Sequence, residues 1–176
     1  MSWDTTTLCT RTDIENELGD LTTLVQVSDS EQDDVIQRAI ATSKTLITNR
    51  LRASLPDIFV SSVGQYTNLQ FGDWITQRGY SYTDLDPVLD MITNISVLNS
   101  AAVALTIACL VKRMIVQFKA SYNTSLGLLG DQRSFWQNEY EMRMRDAEKQ
   151  LTLDLSGDGI IQDFERKRTH VNFFRN

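Results

Sequence analysis

The sequence predicts a mainly α-helical fold: a small helical bundle around a central apolar helix, with a β-hairpin or long-loop insertion and an extended C-terminal tail. Three observations lead there. The 176 residues include only 2 Pro and 8 Gly, too few for the many tight turns of a strand sandwich. Apolar residues recur at helical spacing over long stretches, and one run, "AAVALTIACLV" from Ala101 to Val111, is apolar on every side. With 41% hydrophobic and 23% charged residues, the chain can bury one real core.

The first element is a short helix in "TRTDIENELG", residues 10 to 19, with Thr12 as N-cap, Glu15 completing a capping box and Gly19 as the stop. Its apolar face is thin, only Ile14 and Leu18. A second helix follows in "VSDSEQDDVIQRAIATSKTLITNRLRASLP". Acidic residues suit its N-terminus, Ile36, Ile40, Ser43, Ile47 and Leu51 share one face, and Pro56 is its expected end.

Between about residues 57 and 83 the composition turns to aromatic, β-branched and Gly residues, which suits a hairpin or long loop inserted into the bundle. Its rings include Tyr66, Phe71, Trp74 and Tyr80. They either pack the excursion onto the helices or meet neighbouring molecules.

Asp86 before Pro87 starts another helical segment, and a cap at Asn94 or Ser96 introduces the central helix, which runs to about Phe118. "SYNTSLGLLGD" reads as a loop. Asp131 then opens a last long helix whose stripe is Trp136, Tyr140, Met144, Ala147 and Leu151. Glu139 with Arg143 and Glu141 with Arg145 are spaced for i,i+4 pairs on its outer side.

Charge and cysteine usage narrow the function. The net charge is −6, but residues 166 to 176, "RKRTHVNFFRN", hold four Lys/Arg and no acid, leaving 13 basic against 23 acidic residues elsewhere, a net of −10. An acidic body with a short basic tail is a poor footprint for nucleic acid. Cys9 and Cys109 lie far apart and outside any CxxC or Cys/His cluster, so free buried thiols are expected and a zinc site is not. The run Ala101 to Val111 is short for a membrane span, and the N-terminus lacks the basic start and apolar core of a secretory signal. His170 stands alone in the tail, and no phosphate loop, nucleophile elbow or HExxH occurs, so an enzyme is not expected.

One motif carries chemistry. "DLSGDGIIQDFE", residues 154 to 165, matches a calcium EF-hand loop: Asp154, Ser156 and Asp158 at positions 1, 3 and 5, Gly159 at 6, the Ile160 carbonyl at 7, Gln162 at 9 and Glu165 at 12. Three carboxylates and a Ser in a single loop imply weak binding, on the order of 10⁻⁴ M. The short basic segment that follows does not suit a calcium sensor. The organisation read from the chain is a body over 1–153, the loop over 154–165 and a basic, aromatic tail over 166–176.

The opening run with Thr10, Arg11, Asp13, Ile14, Leu18 and Gly19, the amphipathic helix ending in "ITNRLRASLP", the buried central helix and the last helix with "YEMRMRDAEKQL" resemble, in that order, the head-to-tail connector (adaptor, or head completion) proteins of tailed bacteriophages. The resemblance covers about residues 8 to 152. It implies a structural virion protein, made in the host cytoplasm and placed in the neck, forming a homo-oligomeric ring, commonly of twelve, between the portal and the tail or a further neck protein. DNA is then only transiting cargo, and no membrane is involved. On that reading Arg166, Lys167, Arg168, His170, Phe173, Phe174 and Arg175 dock into the portal, and Tyr66, Phe71, Trp74 and Tyr80 supply contacts to ring or tail neighbours. The alternative is a calcium-binding interaction module built on the single loop.

Overall fold

The computed structural model describes residues 3–19, 29–63, 70–119 and 126–156. It is mainly helical: α1 (Arg11–Leu18), α2 (Asp29–Val63), α3 (Phe71–Gln77), α4 (Asp86–Leu89), α5 (Asn99–Lys119) and α6 (Leu126–Gln150), with one-turn 3-10 helices at Trp3–Thr5 and Ile95–Leu98. The described residues form no β-strand, only two isolated bridges.

The bundle is organised by α5. Every residue from Ala101 to Ala108 is buried, because α6, α2 and α1 pack around the helix. Ala101, Ala102, Ala104 and Ala108 are small enough to let those neighbours approach closely, while Ile107, Leu110 and Val111 fill the spaces between. The apolar segment is longer than the run Ala101 to Val111 suggested: Ile95–Val116 has the length and hydropathy to cross a membrane. Here it is the core of the bundle.

α1 is capped two residues earlier than the sequence suggested. Thr10, not Thr12, is the N-cap, and Asp13 rather than Glu15 closes the box: the Asp13 carboxylate accepts from Thr10 N at 2.7 Å, and Thr10 Oγ1 accepts from Asp13 N at 3.3 Å. Glu15 is thereby available to Arg11, at 2.6 Å. Gly19 ends the helix as expected, at φ 82°, a conformation that favours Gly.

α2 runs on through Pro56 to Val63. A proline inside a helix costs about 3 kcal/mol. Ending there would instead expose Ile58 and Phe59, each worth about 1.5–3 kcal/mol when buried. Pro56 itself is on the exposed side, where water can satisfy the carbonyl that loses its partner.

The inserted segment also differs from expectation. Its described part is helical where α2 enters it and again at α3, turns follow over 78–83 with no strand, and residues 64–69 lie outside the described set. Phe71, Trp74 and Ile75 fall at i, i+3, i+4 and are all buried, a helical pattern that the aromatic and Gly-containing composition concealed. Phe59 of α2 receives them, with ring centroids 5.4 Å from Phe71 and 5.1 Å from Trp74.

α6 starts at Leu126, ahead of Asp131, so part of the expected loop is its first turn. Tyr140, Met144, Ala147 and Leu151 of the expected stripe are buried, and Trp136 packs partly buried against the core. Arg143 pairs with Glu139 at 3.1 Å and with Glu17 of α1 at 2.6 Å. Glu141 pairs across to Arg50 of α2 at 2.6 Å instead of with Arg145.

A buried polar relay fixes α2 against α5. Cys9 Sγ lies 3.5 Å from Thr106 Oγ1, the Thr106 hydroxyl donates to Ser43 Oγ at 2.8 Å, and Ser43 donates to the Ile40 carbonyl at 2.8 Å. The N-terminal segment is pinned separately, by Trp3 Nε1 donating to Thr48 Oγ1 at 3.0 Å.

Candidate functional site

The base of the predicted loop is built where α6 ends. Leu151 is wholly buried, which carries the chain inward, and residues 152–155 then lie against the segment before α5. Thr93 N donates to the Thr152 carbonyl at 3.1 Å, Asp154 N donates to the Met91 carbonyl at 2.9 Å, and Ile92 and Leu153 form an antiparallel bridge. Leu153 N donates to Ser62 Oγ at 3.2 Å, which ties the same strip to the end of α2. Asn94, expected as a helix cap, serves this junction instead. Its Oδ1 accepts from Thr152 N at 3.0 Å and its Nδ2 donates to the Gln150 carbonyl, satisfying groups that the end of α6 leaves open.

Asp154 is only 6% exposed, and Ser156 Oγ donates to its Oδ1 at 2.9 Å. The side chains at motif positions 1 and 3 are thus in direct hydrogen-bond contact at the start of the loop. Asp158, Ile160, Gln162 and Glu165 lie outside the described residues, among which no cluster of three or more His, Cys, Asp or Glu forms. The tail residues Arg166, Lys167, Arg168, His170, Phe173, Phe174 and Arg175 also lie outside them, as does Tyr66.

The inserted segment meets the loop base through Arg78. Its guanidinium donates to the Leu155 carbonyl and lies over the Trp74 ring, 5.7 Å from the centroid. Phe71 and Trp74, read from the sequence as candidate partner contacts, are 7% and 5% exposed, so their rings serve the chain's own core. Tyr80 is partly buried against that core. Among the described rings of the segment, Tyr82 is the exposed one, at 60%.

The thiols are not activated. Burial pushes the Cys9 thiol above its ordinary range, and burial does the same at Cys109, opposed there by Lys112 and Arg133.

Sequence reasoning missed the outer faces of the long helices. Leu128, Phe135 and Met142, seven residues apart on α6, are 69%, 55% and 55% exposed. At ~100° per residue they lie on the side of α6 away from Tyr140, Met144 and Ala147. The heptad spacing is present in the sequence, but single apolar positions among polar ones register weakly beside a full core stripe, and Leu128 falls in a stretch whose composition suits a loop.

In comparisons with known proteins, no family model, curated protein or solved structure matches this chain.

Proposed function

We propose that the chain is a structural virion protein: a head-to-tail adaptor of a tailed bacteriophage, which assembles with copies of itself into a ring between the portal and the tail or next neck protein. Residues 166–176 are its portal-docking tail. The observation that carries this reading is the opening run from Thr10 to Gly19, in which each position shared with connector proteins has a physical task. Thr10 and Asp13 form the cap, and Asp13 also accepts from Asn99 Nδ2 at 3.2 Å, which joins α1 to α5. Arg11 links Glu15 to Asp33 of α2. Ile14 is wholly buried, Leu18 packs on the core, and Gly19 ends the helix. The run is thus a unit that fixes the first helix onto the central one, which supports a shared architecture over a chance string.

The experiment is assembly with the cognate portal protein, followed by negative-stain electron microscopy and mass photometry. Rings on the portal are expected with the full chain and none with a chain ending at residue 165, while both give the same circular dichroism. Equal docking by the shortened chain would remove the role given to the tail, and absence of rings with the full chain would remove the adaptor reading.

A second reading, a calcium-binding interaction module, rests on the loop motif, whose first two ligand positions, Asp154 and Ser156, lie in contact. It differs in requiring calcium for partner binding. Assembly that persists in excess chelator excludes it, and assembly abolished by chelator supports it.

A further inference from the structure

We propose that the outer face of α6 binds a second copy of this chain, the two α6 helices lying antiparallel about a two-fold axis near Asn138. The inference is independent of the ring reading, because a two-fold contact uses one patch on both copies and cannot by itself close a ring.

The face is self-complementary in its order of residues. Phe135 and Met142 flank Asn138 on its two sides, and farther out Asp131 and Arg145 do the same with opposite charges. When a second helix runs the other way about that centre, each Phe135 ring meets the Met142 of the other copy, an aromatic–thioether contact made twice. Each Asp131 meets the other copy's Arg145, also twice. The two Asn138 side chains face one another at the axis, and their amides can each donate and accept. All five residues are exposed, and neither Asp131 nor Arg145 has an ion-pair partner among the described residues. Asp146, which the reversed helix would bring toward Asp131, is already neutralised by Lys149 at 3.0 Å.

The alternative orientation is disfavoured by the same charges. In a parallel pair Asp131 would meet Asp131 and Arg145 would meet Arg145, which is repulsive at both ends. The apolar contribution, Phe135 and Met142 from each copy, is too small for a permanent dimer. A single helix pair stays below the roughly 1,000 Å² of a stable interface, so the association is weak and reversible.

The test is sedimentation equilibrium of the full chain over a wide concentration range, with exposed substitutions that leave the core untouched. Wild type is expected to self-associate, and Asp131→Arg or Arg145→Asp alone to weaken association about tenfold, since two ion pairs become repulsive contacts. The double variant carrying both is expected to return to the wild-type constant. In a Cys109→Ser background, Asn138→Cys should form a disulfide-linked dimer under mild oxidation faster than Gln137→Cys, which points off the face. A strictly monomeric wild type, a double variant as weak as the singles, or equal cross-linking at 137 and 138 would each overturn the proposal. These measurements need neither portal nor ring, so their failure leaves the adaptor reading standing, and the reverse also holds.

Discussion

Arg50 and Glu148 join α2 to α6 through two roughly parallel hydrogen bonds, Nε to Oε1 at 2.8 Å and Nη2 to Oε2 at 3.3 Å. The fork is possible because a planar guanidinium matches a carboxylate, and both side chains are mostly shielded from water. Arg50 also reaches Glu141 at 2.6 Å and lies over the Tyr140 ring, so one residue makes four contacts to a single helix. Arg50→Ala is expected to cost about 1–2 kcal/mol, between the values for exposed and buried pairs. Arg50→Lys should recover only part of that, because an ammonium cannot form the fork. Urea unfolding followed by circular dichroism measures both, and a midpoint unmoved by Arg50→Ala would show the bridge to be inert.

The cap of α1 should make its contribution dependent on acid. Hydrogen bonds from Thr10, first from its backbone N–H and then from its hydroxyl, hold the Asp13 carboxyl below its usual range, with Asn99 adding to the effect. A depressed carboxyl stabilises the fold above its unfolded pKa, and that stability is lost as pH falls through the folded value. Asp13→Asn should therefore be less stable than wild type at neutral pH, and the two should converge as pH falls from the unfolded Asp range through the lower folded value. Thr10→Ala should cost about 1 kcal/mol. A wild type to Asp13→Asn difference that is flat across the acid range would contradict the assignment.

Replacing Pro56 should stabilise the protein. Since α2 continues through this position on its exposed side, Pro56→Ala restores a helical hydrogen bond without disturbing the core. Part of the gain is offset because Ala leaves the unfolded chain freer, so an increase of about 1–2 kcal/mol is expected. Thermal unfolding would show it as a higher midpoint, and a lower midpoint would mean that the helix breaks there in solution.

Calcium is expected to bind weakly at 154–165, on the order of 10⁻⁴ M. Isothermal titration should give a single weak site, removed by Glu165→Gln and weakened by Ser156→Ala, with helix content unchanged throughout. No heat at millimolar calcium would mean that Asp154 and Ser156 only shape the turn.

How far the sequence reaches depends on how loudly each element repeats. The buried faces of α2, α5 and α6 are long and periodic, so Ile36, Ile47, Leu51, Ile107, Tyr140 and Met144 were legible as core before any coordinates. Within the inserted segment α3 is hard to read from sequence, because Phe71, Trp74 and Ile75 span only a helical turn and a half, too short for periodicity to outweigh a strand-like composition. Thr10 and Thr12 differ by two positions and offer equivalent hydroxyls, and only the reach of Asp13 decides between them. Asn94 could not be placed, since its partners Gln150 and Thr152 are distant in sequence. At the loop, the motif spacing singles out Asp154 and Ser156, and the structure shows their side chains hydrogen-bonded to one another. The outer face of α6 has no such register and shows only when exposure is known.

Arg78, held between Trp74 and the Leu155 carbonyl, is one of the ties through which a pull on the chain would be transmitted. Polypeptide beyond residue 156 leaves from an anchored point, and a pull on it is passed through the guanidinium to an indole packed on Phe59, deep between α2 and α3. Together with the bonds from Leu153 to Ser62 and from Asp154 to Met91, that route would share the load between the interior and the end of α6.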